Sequence, residues 1–494
     1  MKRGAGILLP ITALPSNYGI GTMGKCAKDF VDFLKESKQS YWQILPLGPT
    51  SYGDSPYSSV SSFAGNPYLI DLDVLIEEGL LEKKEITKQK WGSKKDDIDY
   101  GLIYNNRFIV LRKAVKRLLK KRSKDVESFI QKENSWLDDY ALYMAIKNHL
   151  NDISIADWPK ELKYKEPKAI KEIREELKED IQFYKGVQYL FFKQWEALKT
   201  YANENGIQII GDLPIYVARD SADVWASPEQ FQLDKKRNPK AVAGVPPDYF
   251  AVDGQLWGNP LYDWKQMKKE NYRWWKKRLK QQFRFYDVLR LDHFRGFESY
   301  YAVDAKAETA KNGKWKKGPD YDFFENVQDA IGKGEIIAED LGYLTPAVYE
   351  LMDKTGYPGM KVLEFAFDPN DTSGKYLPHR YTENNVVYIG THDNEPLQQW
   401  FEEADPTHVK KAKEYFDIHA DDDINYKMIQ GAYRSVAKLV IVQFQDILGL
   451  GKEARMNQPS TIGCNWRWRY DKKVFPKKYA KKYEKLVKMY QRDE

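Results

Sequence analysis

Three short segments each carry a carboxylate where an apolar, partly β-branched run ends: VLRLDHFRG (Val288–Gly296), EIIAEDLG (Glu335–Gly342) and VVYIGTHDN (Val386–Asn394). An apolar run of about four residues, bounded by polar ones, reads as a strand buried on both faces. Such strands belong to parallel sheets covered by helices, and their chemistry collects where the strands end. Asp292, Glu339 and Asp393 therefore form a candidate set drawn from three different strands.

Similar runs recur along the chain. GAGILLP (Gly4–Pro10), YWQILPL (Tyr41–Leu47), IQIIGDLPIYV (Ile207–Val217) and DVLRLDH (Asp287–His293) come first. EIIAEDLG, GMKVLEFAFD (Gly359–Asp368), VVYIGTHDN and KLVIVQFQDILGL (Lys438–Leu450) follow, which makes eight. Helical patterns such as Asp29–Glu36 and Asn271–Phe283 separate most of them, so the expected fold is α/β, a (β/α)8 TIM barrel.

At 494 residues the whole chain fits one decorated barrel body, 1–494. Spacing locates the decorations, since about 160 residues between the second and third runs far exceed a usual βα connection. Phe108, Leu111, Val115 and Leu118 share one helical face there, and Trp136, Tyr140 and Tyr143 offer a core. The reading is a largely helical insertion over roughly residues 60–200. A second stretch, about Ala218–Trp264, is rich in Gly, Pro, Asp and aromatics and reads as a loop-rich insertion beyond a strand end.

Composition excludes several classes. The net charge of +6 arises from 78 basic and 72 acidic residues, too thin an excess for nucleic-acid binding. The paired lysines near the C-terminus read as a solvated helix face. Cys26 and Cys464 lack CxxC spacing, so neither a disulfide framework nor a zinc site is expected. No secretory h-region is evident and no run approaches the ~18 apolar residues of a membrane span, so the cytoplasm is the expected compartment.

Aromatics are abundant, with 14 Trp, 34 Tyr and 22 Phe. Their rings can stack on the C–H faces of sugars while Tyr and Trp keep a polar edge for hydroxyls. Glycosidic chemistry needs a carboxylate kept ionised and a carboxylic acid kept protonated. Strand residues two apart share a face, so Arg290 should point with Asp292 and hold it ionised. Ile337 stands in the same relation to Glu339 and favours its protonated form by desolvation. Asp292 thus reads as nucleophile and Glu339 as general acid/base. An acid at a βα junction also serves as a helix cap, but three of them beside His293, Arg295 and His392 read as a site. A metal reading of His293 and His392 is opposed because adjacent strand residues face opposite sides, separating Asp292 from His293. Imidazoles donating to sugar hydroxyls fit better. Asp212, read as closing the third run, serves either a sugar or a structural turn with Pro214.

RLDHFRG, IAEDLG and GTHDN, together with SPYSSVSSFAGNPYLIDL (Ser55–Leu72), resemble the motifs of 4-α-glucanotransferases. This is the amylomaltase or disproportionating-enzyme family, glycoside hydrolase family 77. The likeness runs from GILLPITALPS (Gly6–Ser16) through LWGNPLYDW (Leu256–Trp264) to the C-terminal region. It implies a barrel related to the α-amylase clan, cytosolic maltooligosaccharide and α-1,4-glucan substrates, a glucose or maltodextrin acceptor, and no cofactor or metal. It implies a retaining mechanism with Asp292 as nucleophile, Glu339 as acid/base and Asp393 as transition-state stabiliser. It further implies sugar-binding roles for Tyr57, Asp212, Trp257, Arg290 and His392, and a flexible active-site loop around Tyr249–Gly258. An α-glucan hydrolase would use the same carboxylates, and a non-catalytic glucan-binding protein is the alternative from another class.

Overall fold

Strands whose residues are apolar on both faces cannot leave either face in water, and closing them into a ring removes the edges as well. The computed structural model describes residues 1–494 apart from 52, 248–251, 372, 473–476 and 494. Among the described residues the strands are β1 (Gly4–Leu8), β2 (Tyr41–Gln43), β3 (Gln208–Pro214), β4 (Ala241–Val245), β5 (Gln255–Pro260) and β6 (Val288–Asp292). They continue as β7 (Ser299–Asp304), β8 (Lys314–Lys317), β9 (Glu335–Ala338), β10 (Gly359–Val362), β11 (Asn385–Tyr388) and β12 (Leu439–Gln443). A closed barrel runs β1-β12-β11-β10-β9-β6-β3-β2, with every pair parallel. These are the eight runs read from the sequence, and β1, β2 and β12 are buried at every position.

The chain between β2 and β3 is mostly helical, with long helices at Tyr100–Lys120, Asn134–His149 and Lys178–Glu204. Leu111, Val115 and Leu118 are buried on the first and Tyr140 and Tyr143 on the second, while Trp136 is half-buried. This region does not keep a core to itself. Phe192 stacks on Phe285 at 5.2 Å, so the helix Lys178–Glu204 joins the helix Arg273–Phe285 that leads into β6. Apolar burial is continuous from barrel to insertion.

The second insertion differs from the loop chemistry expected of it. Its residues supply β4 and β5, which join β7 and β8 in an antiparallel sheet ordered β5-β4-β7-β8. β4 is AVAGV and β8 is the fully exposed KWKK, neither of which carries an apolar alternation. The second partner of β4, β7, lies beyond β6 in sequence. The sheet sets β5, and with it Trp257, over the strand end that carries Asp292.

Candidate active site

Parallel strands place their C-terminal ends on one rim, and that rim collects the candidate residues. Asp292 is the last residue of β6 and Glu339 is the first beyond the neighbouring β9. Asp393 sits in the loop after β11. Asp212 departs from expectation: β3 continues two residues past it to Pro214, so it lies inside the strand and is 1% exposed.

Register explains the charges around the nucleophile candidate. β3 and β6 pair so that Asp212 is the neighbour of Arg290. Arg290 Nη1 lies 2.8 Å from both Asp212 oxygens and 2.9 Å from Asp292 Oδ1, and its Nε points at Met360 Sδ, 3.3 Å away. Burial alone would push the guanidinium down, but Asp212 and Asp292 outweigh it and hold it well above its ordinary value. Burial raises Asp212 against the pull of Arg290.

Glu339 meets the opposite condition. Burial raises its carboxyl to about 7 and Asp292 adds to the rise, while Arg290 and two backbone donors resist it. Those donors are the N–H of His293 at 2.7 Å and of Leu341 at 2.8 Å. His293 takes the left-handed conformation (φ 54°), a conformation uncommon outside glycine. That turn directs the peptide immediately after Asp292 onto the Glu339 carboxyl. The ends of β6 and β9 are tied further by Glu339 N–H to Leu291 O at 3.0 Å and Phe294 N–H to Glu339 O at 3.1 Å. Adjacent strand ends thus carry one carboxyl in contact with a guanidinium, Asp292, and one raised by burial, Glu339, the contrast of environments that glycoside chemistry needs.

The remaining candidates form a polar and aromatic wall. Tyr57 donates its hydroxyl to Asp212 Oδ2 at 2.8 Å and stacks on His392 with centroids 5.1 Å apart. Trp466 stands 5.9 Å from Tyr57 and 6.0 Å from His392. His392 Nε2 is 3.4 Å from Asp393 Oδ2. Trp257 lies edge-on to His293 at 4.9 Å and tilted against Tyr216 at 6.3 Å, with its indole still partly open. Burial lowers His293 to about 4, so it faces the site as a neutral imidazole. The structure thus brings Asp292, Glu339, Asp212, Arg290 and Trp257 to one end of the barrel, with Tyr57, His392 and Asp393 joined through Asp212 and one another. Of the loop expected around Tyr249–Gly258, residues 249–251 lie outside the described residues.

Three contributors were not legible beforehand. Asn457 Nδ2 donates to Asp393 Oδ1 at 2.6 Å, and Arg455 donates to the Asp393 carbonyl at 3.3 Å. With Trp466 they come from a segment beyond β12 that has no helical or strand period. Only the density of polar and aromatic residues in RMNQPSTIGCNWRW marks it.

The profile of the family described as 4-alpha-glucanotransferase matches residues 9–474. A 4-alpha-glucanotransferase of Clostridium butyricum is 50% identical over 98% of this chain and 100% of its own. One from Thermus thermophilus is 43% identical over 95% of each. A solved amylomaltase from Streptococcus agalactiae, in complex with acarbose, superposes with a TM-score of 0.97 at 41% identity, covering 99% of this chain and 100% of that one. The amylomaltase of Corynebacterium glutamicum, at 19% identity and a TM-score of 0.79, shares the fold. This chain belongs to the 4-α-glucanotransferases, the amylomaltases of glycoside hydrolase family 77, and is an enzyme of that activity.

Proposed function

We propose that the enzyme moves a segment of a 1,4-α-D-glucan to the 4-hydroxyl of glucose or another glucan by double displacement. Asp292 attacks the anomeric carbon as Glu339 protonates the departing oxygen, giving a covalent glycosyl-enzyme. Glu339, then a carboxylate, takes the proton from the acceptor hydroxyl, and the α-linkage is restored. Asp393 grips hydroxyls of the distorted donor sugar, while Tyr57, Asp212, Arg290 and His392 line the donor side. The observation that supports this most is the His293 N–H bond to Glu339, which sets the acid beside the nucleophile's own peptide. We read residues 1–494 as one decorated barrel acting on maltooligosaccharides in the cytoplasm. Intact Asp292, Glu339 and Asp393 disfavour a mere glucan-binding role, since binding has no need of a raised acid.

Maltotriose is the diagnostic substrate. Transfer yields glucose and longer oligomers without an equivalent gain in reducing ends; a matching gain in reducing ends would mean hydrolysis instead. To Trp257, whose ring lies beside His293, we assign the exclusion of water and the holding of the acceptor. Trp257→Ala is expected to raise the ratio of hydrolysis to transfer several-fold, and an unchanged ratio removes that role.

The pH response follows from Glu339. The first step needs it protonated, and its folded value is about 7. For the free enzyme, kcat/KM is expected to fall tenfold per unit once the pH exceeds about 7. A profile flat from pH 6 to about 9 contradicts the assignment.

A further inference from the structure

Two buried carboxyl groups outside the reacting set stand at the two ends of the loop that carries His392 and Asp393. Glu364, just past β10, is 4% exposed, and Asp446, just past β12, is 1% exposed. Among the described residues, neither oxygen of Glu364 nor Oδ2 of Asp446 has a hydrogen-bond partner. At the near end of the loop, the Glu364 backbone N–H donates to Ile389 O at 3.1 Å. Its carboxyl lies so close on Gly390 that a β-carbon there would meet the two oxygens at 2.8 and 2.9 Å. At the far end, Asp446 Oδ1 accepts the Leu397 N–H at 2.7 Å.

The charges facing Glu364 are mostly of its own sign. Among the described residues, Asp446 and Glu395 oppose its ionisation and Arg455 favours it. Arg455 is engaged elsewhere, 3.4 Å from Glu395 and donating to the Asp393 carbonyl. An ionised carboxylate buried without donors is far costlier than the neutral acid, and two within range of each other cannot both charge cheaply. Burial accordingly holds Glu364 well above the carboxylate range and Asp446 at about 7.

We propose that Glu364 and Asp446, as uncharged carboxyls, are positioning residues for Asp393 that clamp the Gly390–Leu397 loop from its two ends. The inference rests on the role proposed above for Asp393. Ionisation of Glu364 sets a charge without donors beneath Gly390, and ionisation of Asp446, although it strengthens the bond from the Leu397 N–H, adds like charge facing Glu364; the loop carries the resulting displacement to Asp393.

A double-mutant cycle and a melting series test it. Glu364→Ala is expected to lower kcat/KM for maltotriose about 10-fold in the parent but less than about 2-fold in an Asp393→Ala background, because the two act as one unit. Glu364→Gln, which keeps the shape and cannot charge, should restore the parent value at pH 6. Additive losses, or no rescue by glutamine, overturn the proposal. The melting arm does not depend on the role of Asp393. A group held above its ordinary value contributes stability at low pH that is lost as the pH rises through its folded value. The parent Tm should therefore drop between pH 6 and 9, and that of Glu364→Gln should drop less; parallel slopes overturn the clamp. If Asp393→Ala alone leaves kcat/KM unchanged, the role of Asp393 fails, and the melting series judges the clamp by itself.

Discussion

Glu339→Gln is expected to lower transfer from maltotriose by about 10²–10⁴-fold, the usual contribution of a positioned acid/base. The amide has nearly the volume of the acid and leaves an oxygen for one of the two N–H donors at His293 and Leu341. The loss should therefore be chemical, with the fold retained. A donor whose leaving group needs no proton, such as a maltosyl fluoride, should recover the first step but not the second. Asp292→Asn is expected to fall further, by about 10⁴-fold or more, and to gain nothing from the fluoride. A fluoride that rescued Asp292→Asn, or failed to rescue the first step in Glu339→Gln, would exchange or dismiss the two roles.

Arg290→Met is expected to cost about 3–5 kcal/mol of stability, because it strands the partner of a buried ion pair. Asp212, 1% exposed, would keep the Tyr57 hydroxyl as its donor but lose both contacts to Nη1. Its carboxyl already sits above its ordinary value through burial, and removing Arg290 takes away the main opposing influence. The sign follows from linkage. An acid raised in the folded state stabilises at low pH and loses that contribution as the pH rises, so the deficit should widen from pH 5 to pH 8. The urea midpoint measures it, and adding Asp212→Asn should return part of the loss. A deficit under about 1 kcal/mol with no pH dependence would show that the pair does not act as described.

The barrel is legible because its strands are short, largely apolar runs, and that pattern survives without tertiary context. Arg290 beside Asp292 was readable for a related reason, since a spacing of two fixes a shared face. What stayed hidden depends on partners distant in the chain. β8 is four exposed residues whose pairing with β7 leaves no alternation. Asp212 reads as closing the third run, yet β3 ends on Pro214, two residues further, and its pairing with β6 includes that proline. Asn457 reaches Asp393 across 64 residues, and nothing local to either predicts the contact. Glu364 and Asp446 sit in apolar stretches, LEFAF and QFQDIL, that read as core, and only the folded chain shows them bracketing one loop.

The most direct trial of the double displacement is to trap its intermediate. Glu339→Gln incubated with a maltosyl fluoride should gain the mass of one maltosyl unit, and peptide mapping should place it on the fragment containing Asp292. An adduct on the fragment containing Asp393, or turnover with inverted anomeric configuration and no adduct, would contradict it.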